Sequence, residues 1–394
     1  MTTQSLASNA AARQRHLLVL LFAGFVLTGV EITLTGPMMP LFISRWSLND
    51  SRAGLLLAIE FSGSLAGVWL SSLVTHHLGT RTSLVLGYLL VGIGLATVNT
   101  SSITVVVLAL GALGIGYGLV VPPTNLAVAE IGGAKSASLV SLVNFAWGAG
   151  AVSCSPLVLL ALKNGLLPAF LFVAAGCGAL LAFSFLFATF PVGKHHAADN
   201  SASPKPAIDL SLVTTFTLAA LFFLYVSVEV SLGSWSAAYA KRLPGGGNSL
   251  STIAPMFFYG GLLAGRASAP LVLAHVREFR LVVTALLVVI AGTTVFVLAP
   301  TQEIAFTSAV VAGLGCAAVF PIFVAWLSRW YGARAAKLGS VMFSMSSIGS
   351  AVGPWLVGFV SAHAGSLRIG LLVPLASAVV MVLLLLLVRR QAAA

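Results

Sequence analysis

The stretches TGVEITLTG at 28–36 and VSVEVSLGS at 226–234 decide how this chain is read. Each is an apolar run holding one glutamate, Glu31 in the first and Glu229 in the second, and they lie 198 positions apart. FSGSLAG at 61–67 resembles FYGGLLAG at 258–265, at nearly the same offset. The Gly-rich run from Gly114 to Pro122 resembles that from Gly313 to Pro321. Matches that recur in order at nearly one offset mark a duplicated half. The chain is therefore read as two related bundles, and the acids as equivalent positions within them.

Composition sets the solvent of those bundles. Of 394 residues, 59% are apolar or aromatic and only 7% are Asp, Glu, Lys or Arg. An ordinary soluble domain carries about 25% charge. Too little charge is available to cover a water-exposed surface, which excludes a soluble enzyme, a disordered hub and a disulfide-rich secreted domain. Twelve helices of about 20 residues need about 240 mostly apolar positions, and this chain supplies about that many. Apolar runs between polar turns predict spans at 17–43, 53–75, 82–98, 103–129, 139–162, 167–190, 211–239, 252–274, 281–299, 304–327, 338–362 and 368–388. Helices are expected throughout, because lipid offers no partner to an unpaired backbone group. The short alternating segments of a membrane β-barrel are absent.

The expected architecture is an all-α membrane protein of twelve transmembrane helices in two pseudo-symmetric six-helix bundles. Residues 1–190 form the N-terminal bundle and 211–394 the C-terminal bundle. The polar stretch 191–210, PVGKHHAADNSASPKPAIDL, reads as a flexible cytoplasmic linker. Net charge is +11, but the basic residues sit singly or in pairs between apolar runs, as orientation signals do. Thirteen Lys and Arg fall on the side of the N-terminus and six on the other, which predicts both termini inside. No nucleic-acid partner is expected. The first 16 residues read as a cytoplasmic tail and not a signal peptide. Cys154, Cys177 and Cys316 lie in apolar runs without metal-ligand spacing and read as small core residues. No metal, cofactor or catalytic residue is expected, and the absence of a phosphate-binding GKS or GKT loop argues against ATP-driven transport.

Twelve spans, a central loop and a parallel duplication resemble the major facilitator superfamily over essentially the whole chain. The stretch from Ser72 to Arg81 stands where that family has a loop signature; Gly79 and Arg81 fit it, while Ser72 and His76 replace its first Gly and its Asp. Within the superfamily, NFAWGAGA (144–151), YVSVEVSLGSW (225–235), YGGLLAGR (259–266) and GLGCAAVFPIFVAWLSR (313–329) are most similar to the fucose–proton symporter branch. That branch carries an acid a few positions before the Pro closing its first span, where this chain has Gly36, and a second where it has Val121. Its coupling residues therefore do not transfer. The resemblance implies alternating access about a mid-membrane site, with the first and seventh helices facing it.

Buried charge narrows the site. A charge at the bilayer centre costs about 2.5–3.5 kcal/mol, so it lines water, finds a partner or holds a proton. Glu31 and Glu229 are expected to bind sugar hydroxyls, with one of them exchanging a proton. Asn125 and Asn144 are further polar candidates, and Tyr225, Trp147, Trp235 and Trp326 supply aromatic faces for the ring. Asn144 and Trp147 are three apart and share a helix face. Glu130 near Lys135, and Arg266 deep in the eighth span, are candidate gating residues, Arg266 pairing with an acid or, second, binding phosphate or carboxylate. Glu60 reads equally as a packing residue or a cavity residue. Asp50, Glu278 and Glu303 read as solvated loop residues. The expected function is secondary transport of a hexose-like sugar, coupled to protons, by a monomer in the bacterial cytoplasmic membrane. A facilitative sugar uniporter and a multidrug or amphiphile proton antiporter are the competing expectations.

Overall fold

The computed structural model describes residues 3–190, 212–246, 249–331 and 335–393. The predicted linker 191–210 lies outside them. Among the described residues eleven helices are long and apolar enough to cross a membrane. One of them, Asp50–Thr97, has 48 residues. At about 1.5 Å per residue it would be far longer than a hydrocarbon core of about 30 Å. Gly79 divides it, with φ 86° and ψ 161°. A side chain is strained at that φ, and glycine is not. Two spans result, and the total is twelve.

The helices, in chain order, are α1 (Arg13–Trp46), α2 (50–78), α3 (80–97), α4 (Ile103–Gly132), α5 (Ser136–Lys163), α6 (Leu167–Phe187), α7 (Leu212–Arg242), α8 (Ala254–Leu273), α9 (Glu278–Leu298), α10 (Gln302–Tyr331), α11 (Ala335–Ala364) and α12 (Leu367–Leu386). The segment expected to be a tail is already helical from Thr3.

Three of the spans are broken, each just before a proline. α1 is interrupted at Leu34. Pro37 has no N–H to give the carbonyl of Thr33, four residues back, and its ring crowds that turn. α10 is interrupted after Cys316 and resumes at Val319. Pro321 stands in the same relation to Ala317. In α12 the interruption at Leu371 precedes Pro374, which has no N–H to give the Gly370 carbonyl.

Contacts sort the chain into two compact units. One holds the chain up to Leu34 and resumes at Ile59; the other joins Thr35–Ala58 to α7–α12. The division thus falls at the α1 break and within α2.

Inside each unit, glycines set the helix approach. In the first, a Cβ at Gly114 of α4 would lie 1.9 Å from the Glu60 carbonyl oxygen of α2. In the second, a Cβ at Gly313 of α10 would lie 2.1 Å from the Phe258 carbonyl oxygen of α8. The same holds for Gly150 of α5 against Val26 of α1, at 2.1 Å, and Gly349 of α11 against Phe223 of α7, at 2.2 Å. The duplicated sequence has therefore kept its backbone-to-backbone contacts. Lipid tails are as apolar as the helices, so close van der Waals packing of small residues supplies the cohesion that water supplies elsewhere.

Polar cross-links add to it. Arg81 follows the Gly79 turn and donates to the Ala188 carbonyl at the end of α6, 2.7 Å away. In the second unit Tyr239 donates to Val297 at 2.6 Å and Gln302 to Ala240 at 3.0 Å.

Candidate functional site

Glu31 sits three residues before the break in α1, and its backbone carbonyl accepts the Leu34 N–H at 3.1 Å. The side chain is 0% exposed, and neither carboxyl oxygen has a hydrogen-bond partner. Glu60 of α2 is also fully buried and lies close enough for the two acids to interact electrostatically. Tyr88 of α3 and Cys154 of α5 share this surrounding. Leaving an ionisable group buried without a hydrogen bond costs stability, and such groups mark functional positions in membrane helices.

The second unit answers with a bonded cluster. Tyr225 and Glu229 are four apart on α7, which puts them on one face. The Tyr225 hydroxyl donates to Glu229 Oε2. It also lies 3.0 Å from the Cys316 carbonyl oxygen, a group that the break in α10 leaves without its usual helical donor. Arg266 of α8 faces the same carboxylate, with Nη2 at 3.6 Å from Glu229 Oε1. That is an ion pair without hydrogen-bond contact. Arg266 Nε is buried and donates no hydrogen bond. The Arg266 side chain is nevertheless 31% exposed and that of Glu229 13%. Phe320 and Phe323 pack against Tyr225 with ring centroids 5.6 and 6.4 Å away. An acid, a cation, a phenol and aromatic edges thus converge on one partly open spot.

The structure distributes the other predicted residues unevenly. Asn125 and Asn144 meet, the Asn144 amide donating to Asn125 Oδ1 at 2.8 Å. Trp147 is half-buried, and its backbone carbonyl meets Gly29 of α1. Trp235 is fully buried and donates from its indole to the Pro354 carbonyl at 2.8 Å. Trp326 is fully buried too; its indole donates to Glu278 at 2.7 Å and its ring stacks on Trp330. Both indoles are thus held by the protein itself. Glu130 is exposed and makes no ion pair with Lys135 among the described residues.

Two acids read as solvated loop residues are engaged. Asp50 opens α2, is 8% exposed, and takes a bidentate grip from Arg242 of α7 at 2.7 and 2.5 Å. Ser361 of α11 donates to the same carboxylate. Glu278 opens α9 and pairs with Arg329 at 2.5 Å. Opposite charges at helix ends were the available signal, but pairing them requires knowing which ends meet. A groove of about 380 Å³ between α9 and α10, lined by residues including Val295, Glu303 and Val311, contains none of the candidate residues.

A polytopic helical bundle with ionisable clusters inside its helices is the architecture a solute carrier needs. The Major Facilitator Superfamily profile matches residues 21–307, and the chain belongs to this family of membrane transporters. No curated protein matches it in sequence. Among solved structures it is similar to a bacterial homologue of the human lysosomal transporter Spinster, at 17% identity and TM-score 0.74, covering 96% of this chain and 97% of that one. It is similar to the E. coli fucose:proton symporter at 16% identity and TM-score 0.62, covering 94% and 98%. It is also similar to the nucleoside transporter NupG at 15% identity and TM-score 0.75, covering 96% and 99%. These likenesses carry the fold, and they do not single out the fucose branch that the sequence resembled.

Proposed function

We propose that this transporter moves a hexose-like sugar by alternating access, coupled to protons, in a bacterial cytoplasmic membrane with both termini inside. The observation that carries the reading is the pair of acids retained at matched places in the duplicated halves. Glu31 is sealed without a hydrogen bond, while Glu229 is held by Tyr225 and Arg266 and remains partly open. Their surroundings suit different tasks. The open cluster presents acceptors and donors for a hydroxylated solute, with aromatic rings beside them. The sealed acid is the coupling group: once the alternating motion opens it to water, a carboxyl without protein partners exchanges a proton without breaking a hydrogen bond within the protein.

The membrane cost of a buried charge makes retention of both acids without a task unfavourable. Purified protein in liposomes tests the reading. Sugar accumulation under an inward proton gradient, and only equilibration without it, is expected. Equal flux in both conditions would remove proton coupling, and no flux of any sugar would remove the substrate class.

A further inference from the structure

We infer that the solute carries a carboxylate and that Arg266 is its receptor, so that the substrate is a sugar acid of the hexuronate type and not a neutral hexose. This inference rests on the sugar-transport reading above and names the substrate class of the same site.

Arg266 is a guanidinium inside a membrane helix whose side chain is 31% exposed. Exposure to acyl chains would be costly, which argues for an aqueous cavity beside the open part. Its bond inventory is incomplete. A guanidinium has five N–H donors in a fixed fork. The Nε donor makes no hydrogen bond, and Nη2 stands 3.6 Å from Glu229 Oε1, beyond hydrogen-bond reach. Nε and Nη2 share the edge that binds a carboxylate through two parallel N–H···O bonds. Nε on that edge has no partner in the protein, and the guanidinium's polar neighbours are the Glu229 carboxylate and the Tyr225 hydroxyl. Glu229 is meanwhile occupied by the Tyr225 hydroxyl, which itself lies on the Cys316 carbonyl.

Charge arithmetic favours a monoanion. Arg266 and Glu229 together are neutral. The other titratable groups packed around them, Tyr225 of α7 and Cys316 of α10, are neutral in their usual forms. A carboxylate entering with one proton adds no net charge to the protein, which is what a proton-coupled carrier supplies. A phosphate brings about −1.5 to −2, more than one guanidinium balances. A hydroxyl of the same solute then falls to Glu229 Oε1, the oxygen that Tyr225 does not occupy, and Phe320 offers a half-buried ring for its CH face.

Binding to purified protein in detergent decides it, read by calorimetry with glucuronate, galacturonate, glucose, galactose and glucose 6-phosphate. Hexuronates are expected to bind at least tenfold tighter than the matching hexoses. Arg266→Gln is expected to erase that preference, and Arg266→Lys to restore only part, since an ammonium lacks the two-pronged geometry. Equal binding of hexoses and hexuronates, or hexoses alone, would overturn the inference and leave sugar transport standing. Tightest binding of glucose 6-phosphate would overturn the carboxylate assignment. Binding of none of the five would overturn both readings. The wild-type panel is decisive even where an Arg266 variant fails to fold.

Discussion

Asp50 and Arg242 form a two-pronged ion pair, at 2.7 and 2.5 Å, that joins the start of α2 to the end of α7. Ser361 closes the third side from α11. The Asp50 backbone is just as confined, because a Cβ on Gly358 of α11 would lie 2.3 Å from the Asp50 carbonyl oxygen. Three elements of the second unit thus meet on one carboxylate. Asp50→Ala is expected to lower stability by about 1–2 kcal/mol, less than for a fully buried pair because the Arg242 side chain is 38% exposed. Thermal unfolding in detergent checks this, with Ser361→Ala costing less. The double variant Asp50→Ala with Arg242→Ala should be less damaging than the sum of the single changes.

Glycine contacts matched across the duplication predict matched sensitivity. Gly114→Ala and Gly313→Ala each force a methyl against a backbone carbonyl, at Glu60 and at Phe258. Each is expected to destabilise by about 1–3 kcal/mol. Gly176→Ala, with nothing within 4 Å of the added Cβ, is the control. The yield of monodisperse protein and the unfolding midpoint report the difference.

Glu31→Gln separates function from stability. The carboxyl makes no hydrogen bond, so its loss removes none, and a group that cannot ionise replaces one whose charge is costly in that setting. The unfolding midpoint should stay level or rise while proton-driven accumulation is lost. A marked drop in the midpoint would make Glu31 a structural residue.

Trp326→Phe is expected to behave in the opposite way. It removes an indole N–H donated to Glu278 at 2.7 Å. The loss should be about 1.5–3 kcal/mol, as for a hydrogen bond to a charged group, with solute affinity little changed. A selective loss of affinity would return Trp326 to the binding site.

How far these features were legible in the sequence depends on their range. Apolar run length located the membrane helices, and the repeat around Glu31 and Glu229 pointed to the two acids. Gly79 was visible as part of a loop signature. The breaks at Leu34 and after Cys316 were less so: Pro37 and Pro321 were evident, but Pro122 and Pro123 sit inside an unbroken α4. Asp50 with Arg242 and Glu278 with Trp326 were invisible, because each joins positions far apart in the chain. Arg266 was readable as a buried cation. Its loose geometry toward Glu229 is a matter of tenths of an ångström, which no residue pattern encodes.

Proton movement that accompanies the solute is the most direct measure of the central claim. In proteoliposomes at equal internal and external pH, addition of a hexose or hexuronate should make the weakly buffered outer medium more alkaline in wild-type protein, and should not in Glu31→Gln. Solute entry with no change in external pH, or an equal change in both proteins, would contradict the account.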